Sequence, residues 1–241
     1  MDIRDLRDTW ERLAQLDPLW SILSDPQKKG NKWVLHEFLG TGEEEVAGLI
    51  KHIESLQVNI NRRKALDFGC GVGRITQPLA DHFLEVCGVD IAPTMIALAR
   101  KYNRRGDRCK YYLNEKDELK LFADGTFDLV YSSFTLQHME PKYSLGYLGE
   151  FLRVLVPGGL LVFRLPSELR SGLANWLFRG RVRTLYYWVR YGNEPRLEMY
   201  GVKKHDVMRF LETNGATVLQ VTQDDSAGKD WLSYLSCVTK N

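Results

Sequence analysis

Cysteine is scarce in this chain. Four occur among 241 residues (Cys70, Cys87, Cys109, Cys237), and none forms a CxxC pair. That argues against a zinc ribbon or a disulfide framework, so a reducing, cytoplasmic setting is expected. Charge of one sign is also lacking. A formal net charge of +2 is too small to point to nucleic acid as a partner. No apolar run approaches the ~20 residues of a membrane span, and Met1-Asp2-Ile3-Arg4-Asp5 holds no apolar signal core. There is no internal repeat and no low-complexity tract. His36, His52, His82 and His205 have no metal-like spacing and no carboxylate cluster stands out, so no metal is expected. What remains is an ordinary globular composition, 44% hydrophobic and 27% charged, long enough for one α/β domain.

Residues 1–60 read as a helical cap. Ile3, Leu6, Trp10, Leu13 and Leu16 recur at helical spacing, and Asp17-Pro18 and Asp25-Pro26 interrupt. Thr41-x-x-Glu44 resembles a capping box opening a helix over 43–56. From 61 the pattern alternates. Strands are expected at 64–68, 85–90, 110–114, 127–131 and 160–165. Helices are expected near 75–83, 93–103, 133–139 and 144–156. This alternation predicts a parallel sheet covered on both faces. A basic, aromatic insert follows at 166–200, then a helix over 204–214. Two final strands, 216–222 and 231–239, are joined by Asp224-Asp225-Ser226-Ala227-Gly228, which suits an antiparallel pair.

The chain is organised around Lys64-Ala65-Leu66-Asp67-Phe68-Gly69-Cys70-Gly71-Val72-Gly73-Arg74. A strand, a glycine turn and a helix make the first unit of a nucleotide-binding sheet. A dinucleotide fingerprint needs G-x-G-x-x-G, but its last position here is Arg74. Asp67 would also repel a pyrophosphate at that turn. It favours instead a ligand carrying an ammonium or sulfonium group. Asp90, ending the second strand, is placed to accept from both ribose hydroxyls. Ile91 is placed against an adenine face, and Asn114, after the third strand, at the adenine amino edge.

These segments resemble the class I S-adenosylmethionine-dependent methyltransferases. Residues 65–74 look like that family's first motif, and Gly88-Val89-Asp90-Ile91-Ala92-Pro93 is similar to its second. Phe127-Asp128-Leu129-Val130-Tyr131-Ser132, with Leu136-Gln137-His138-Met139, resembles its fourth-strand motif. Arg153-Val154-Leu155-Val156-Pro157-Gly158-Gly159 is similar to its last. The resemblance implies a Rossmann-like, doubly wound, seven-stranded sheet with its last strand antiparallel. It implies a methyltransferase domain over 61–241; the N-terminal helices and the helical 166–200 insert, both aromatic-rich and flanking the expected cleft, are expected to form an acceptor-side lid. It implies S-adenosylmethionine as cofactor, held by Asp67, Gly69, Gly71, Gly73 and Asp90, with Ile91, Asn114 and Ser132 beside them. Arg74 can pair with the cofactor carboxylate. Asn114 stands where many members carry Asp.

Methyl transfer from a sulfonium is an in-line displacement, so alignment in a dry pocket is the main task. A base is needed only for a poor nucleophile. His138 is the candidate base, because its ordinary pKa suits neutrality. Gln137, Arg164 and Glu168 are candidate acceptor contacts. Phe38, Thr41 and Gly42 are expected to close over the methionine end. The leading reading is O- or N-methylation of a small molecule, such as a sugar, glycolipid or secondary metabolite. A peptide or protein methyltransferase is an alternative, although no Asn-Pro-Pro-Tyr type tetrapeptide follows the fourth strand. So is a membrane-associated, non-catalytic S-adenosylmethionine-binding module, because residues 176–191 mix arginine with aromatics and suit peripheral membrane contact.

Overall fold

The structure is a computed structural model in which residues 2–170 and 198–241 are described. Most of the expected insert, and all of 176–191, lies outside the described residues. Seven strands form one sheet: β1 (Lys64–Phe68), β2 (Glu85–Asp90), β3 (Cys109–Leu113), β4 (Phe127–Ser132), β5 (Leu155–Leu169), β6 (Ala216–Asp224) and β7 (Trp231–Lys240). The order is β3-β2-β1-β4-β5-β7-β6. β1 to β5 run parallel, and β7 is antiparallel to both β5 and β6. Among the described residues the helices are α1 (Ile3–Leu16), α2 (Pro18–Ile22), α3 (Leu35–Ser55), α4 (Thr76–Leu79), α5 (Pro93–Tyr102), α6 (Pro141–Val154) and α7 (Lys204–Thr213).

Side chains alternate along a strand, so each strand feeds two cores. Leu66 and Phe68 of β1 face α6, where the Phe68 ring lies 4.5 Å from Tyr147 and 4.9 Å from Phe151. Ala65 faces the other way, toward Val46, Leu49 and Ile53 of α3 and Leu79 of α4. A third cluster seats the N-terminal helices on the glycine turn and α5: Phe38 and Leu39 pack with Val72 and Met95, and Trp10, Ile22 and Trp33 lie against them. The early aromatics thus have their surface. Asp17 fixes the loop after α2, accepting from the Gly30 and Asn31 amides at 2.7 and 2.8 Å.

Three local expectations change. α3 begins at Leu35, so Thr41 and Glu44 are interior and no capping box forms. The apolar stripe from Phe38 through Val46 to Ile53 already favours helix there, and the Thr41 hydroxyl donates to the Phe38 carbonyl. The helix expected over 133–139 is a single tight turn at Leu136–His138. β5 starts five residues earlier than expected. Its register with β4 shifts between Phe127 and Leu129, which accommodates Pro157-Gly158-Gly159 as a bulge.

Candidate active site

The parallel strands end on a cavity of about 440 Å³, beside the first βα turn. Open α/β sheets bind ligands at this location. Asp67, Gly69, Gly71, Asp90, Ile91 and Asn114 all line it, and so do Arg74, Gln137 and His138.

The turn is shaped by close approach. Gly69 has φ +78°, and a Cβ there would stand 2.0 Å from Thr135 Oγ1. Its amide and that of Cys70 both donate to the Val89 carbonyl, at 2.8 and 2.9 Å, which ties the turn to β2. Gly71 has φ +52°, and its amide donates to Asp90 Oδ2 at 2.9 Å. The other Asp90 oxygen accepts from the Ala92 amide at 2.9 Å. Burial pushes the Asp90 carboxyl up, and these backbone donors oppose the shift. Each oxygen keeps a lone pair for hydroxyls in the cavity.

Asp67 is the deepest charge. It is 3% exposed, and burial pushes its carboxyl up to about 7, against the Thr76 hydroxyl (2.6 Å) and the Arg74 charge. Asn114 is locked by its own loop. Its amide nitrogen donates to the Lys116 and Glu118 carbonyls at 3.2 and 2.9 Å. That leaves Oδ1 to accept from an amino group. The cavity therefore offers a hydroxyl-accepting carboxylate, an apolar side chain, an acceptor and a second, buried carboxylate. This set fits S-adenosylmethionine: Asp90 for the ribose, Ile91 and Asn114 for the adenine, Asp67 for the amino group.

His138 differs from the expectation. Its Nδ1 contacts the Glu198 carbonyl at 2.9 Å, and its Nε2 contacts Gln137 Nε2 at 3.1 Å. Only Nδ1–H can donate to a carbonyl, so Nε2 is an acceptor already met by an amide. Burial lowers the ring to about 4, and Trp10 packs edge-on at 5.3 Å. It is a neutral wall residue in this arrangement, poorly suited as a base. Four other candidates lie off the cavity. Gly73 faces the Tyr111 ring, where a Cβ would meet the phenol oxygen at 2.5 Å. Ser132 shares a strand face with Val130, is fully buried and donates to the Phe68 carbonyl at 3.3 Å. Glu168 belongs to the lengthened β5, opposite Leu232, and is exposed. Arg164 is held by acids elsewhere.

Those acids form a network that spacing did not reveal. Glu45 of α3 bridges Arg74 Nη2 at 2.7 Å and Arg164 Nη1 at 3.0 Å, and accepts from the Tyr131 hydroxyl at 2.6 Å. Arg164 also pairs with Asp224 at 3.1 Å and donates to Ser133 Oγ at 2.9 Å. Burial pushes the Glu45 carboxyl up, but Arg74, Tyr131 and Arg164 outweigh it and hold it below the usual range. Arg74 thus gives Nη2 to Glu45 and points Nη1 at Thr41 Oγ1, 3.5 Å away. Next to Ser133, Phe134 lines the cavity with φ +61°, an unusual conformation for an aromatic residue. Ser133 and Thr135 clamp it, the latter donating to the Phe68 carbonyl at 3.2 Å. Phe38, Thr41 and Gly42 do not line the cavity. A Cβ on Gly42 would lie 2.0 Å from the Arg74 carbonyl oxygen, so that stretch packs behind the turn. The cavity is covered instead by Ile3, Leu6 and Trp10 of α1, Ile22 of α2, and Ser226 between β6 and β7. The helical spacing of Ile3, Leu6 and Trp10 was the available signal for the α1 share.

Sheet order and glycine turn are those of the Rossmann-like fold of the class I S-adenosylmethionine-dependent methyltransferases. Residues 66–163 match the family described as "Methyltransferase domain". A demethylmenaquinone methyltransferase of Thermus thermophilus is 38% identical over 127 residues, covering 50% of this chain and 56% of its own length. A ubiquinone biosynthesis O-methyltransferase of Cereibacter sphaeroides is 28% identical over 134 residues, 53% of each chain. The chain thus spans about half the length of such curated relatives. Magnesium protoporphyrin IX methyltransferase from Synechocystis, solved with bound S-adenosylhomocysteine, superposes with a TM-score of 0.57 at 18% identity, over 84% of this chain and 83% of its own. No helix among the described residues is long and apolar enough to cross a membrane.

Proposed function

We propose that this protein transfers a methyl group from S-adenosylmethionine to an oxygen or nitrogen of a small organic acceptor. The observation carrying this reading is that Asp67 and Asp90 flank one glycine turn and line one cavity. In the proposed complex, Asp90 accepts from the ribose hydroxyls, Asn114 Oδ1 accepts from the adenine amine, and Asp67 accepts from the cofactor's ammonium group. The bound cofactor supplies a methyl carbon made electrophilic by its sulfonium. The protein's part is to hold the acceptor in line and exclude water. No base is assigned. His138, with both ring nitrogens engaged and its pKa lowered to about 4, serves as a wall. The acceptor atom therefore ionises by itself or is already a good nucleophile.

An apolar, ring-bearing acceptor fits best. Phe134, Met139, Met199 and Trp10 line the cavity, and the relatives named above act in quinone and porphyrin chemistry. α1 and α2 act in this reading as the acceptor-side cap. Calorimetric titration with S-adenosylhomocysteine is the first test. Saturable binding is expected, weakened at least tenfold in Asp90→Ala, which removes the ribose acceptor. A folded protein that does not bind, or an Asp90→Ala variant that binds as wild type, would sink the assignment. A screen of phenols, quinols and amines with labelled methyl donor then identifies the acceptor.

A further inference from the structure

A second cavity of about 290 Å³ opens between α3, α4 and the turn after α5. His36, Glu43, Arg74, Gln77, Arg104 and Arg105 contribute to its wall. Three of these present buried donors that meet no acceptor among the described residues: Arg74 Nε, Gln77 Nε2 and Arg105 Nε. Arg74 is 4% exposed and Gln77 6%. The Gln77 amide is oriented by its own acceptor, because Oε1 takes the Arg104 amide proton at 2.9 Å. Its nitrogen is thereby left as a donor. Folded proteins pair the great majority of buried polar groups, so three unpaired donors in the walls of one cavity call for an explanation.

The charges point the same way. Glu45 is spent on Arg74 at 2.7 Å and Asp81 on Arg105 at 2.6 Å. Arg104 has no side-chain hydrogen bond or ion pair among the described residues. Among the described residues, Glu43 is the one carboxylate in the wall. Guanidinium forks and an amide donor match a tetrahedral oxyanion, whose several acceptor oxygens can meet several donors at once.

We propose that this cavity binds a phosphate group, either as the free ion or as the phosphomonoester of a metabolite, and thereby tunes cofactor affinity. Arg74 makes the coupling physical, because it lines this cavity and the cofactor cavity alike. An anion that draws the Arg74 guanidinium toward this cavity competes with Glu45 for it, and Glu45 also holds Arg164 and Tyr131. Linkage requires that any effect of phosphate on cofactor affinity be matched by an equal effect of cofactor on phosphate affinity.

Calorimetric titration of the full chain with inorganic phosphate, and separately with methyl phosphate, tests this. Sodium chloride at matched ionic strength is the control. Saturable binding in the millimolar range or tighter is expected. Arg104→Ala should weaken it at least tenfold and Arg104→Glu should abolish it, with thermal melting showing that both variants fold. Arg104 lines no part of the cofactor cavity, so S-adenosylhomocysteine should still bind both variants in phosphate-free buffer. Phosphate should shift the S-adenosylhomocysteine affinity of wild type but not of Arg104→Glu. Tighter binding of methyl phosphate identifies a phosphomonoester as the ligand; tighter binding of the free ion identifies phosphate itself. Absence of saturable binding, or binding unchanged in both variants, overturns the site. An S-adenosylhomocysteine affinity indifferent to bound phosphate overturns the coupling. The phosphate titration does not depend on the methyltransferase reading, so the two fail separately.

Discussion

Asp67 offers a quantitative test of how the apo protein and its ligand share one buried charge. An aspartate in an unfolded chain ionises near 3.8, whereas burial holds the folded Asp67 carboxyl at about 7. Between those values the folded protein keeps a proton that the unfolded chain has lost. Stability from this group is therefore full below about pH 4 and falls as pH rises, by ~1.4 kcal/mol per unit, until the folded group ionises. The total loss above pH 7 is about 4 kcal/mol. Asp67→Asn cannot ionise. The difference in unfolding free energy between variant and wild type should therefore grow in the variant's favour from pH 4 to pH 7, then level off. Denaturant melts of both proteins at half-unit steps of pH provide that difference curve, and other titrating groups cancel in it. A cationic ligand group beside Asp67 would reverse the benefit. Wild-type affinity for S-adenosylhomocysteine should rise with pH up to about 7, with proton release on binding, and Asp67→Asn should lose both the affinity and the pH slope. Stability curves that run parallel between pH 4 and 8 would refute the buried-acid argument. A preserved slope of ligand affinity in the variant would refute the placement of the ammonium group.

Substitutions at two further positions probe the buried ion network and the cavity wall. Glu45→Gln leaves Arg74 and Arg164 without their shared counter-charge, and a loss of about 3 kcal/mol is expected in urea unfolding; an unchanged midpoint would mean the network is dispensable. Phe134→Gly and Phe134→Ala remove the same ring, but only glycine tolerates φ +61° without cost. The glycine variant should be the more stable by ~1 kcal/mol, and the reverse order in a denaturant melt would rule out strain at this position.

What could be read in advance follows from how local each signal is. β1 and β2 were legible to the residue, because a short apolar run ending in Asp-Phe-Gly or Val-Asp-Ile has one outcome in a parallel sheet. The start of α3 was not, because Thr41 carries a capping pattern that the longer apolar stripe from Leu35 overrides. The side of the sheet on which a residue stands was hidden wherever a strand ran longer than its apolar core. Glu168 sits on such an extension, and Arg164 finds acids from α3 and β6 that are distant in sequence. His138 was legible as a cavity residue but not as a neutral one. Its neutrality comes from burial, against which the Glu198 carbonyl works, and that burial is built by segments distant in sequence, Trp10 among them.

Thr135 occupies the hollow that Gly69 leaves, its hydroxyl 2.0 Å from where a side chain there would begin. For protein engineering this means that the glycine turn is not a portable cassette. Transplanting residues 64–76 into another sheet would carry half of an interlocking pair, and the recipient's own loop after its fourth strand would have to supply the matching hydroxyl and methyl. Chimeras that exchange the two segments together should keep the shape of the turn. Those that exchange either one alone should create a void or a collision beneath it.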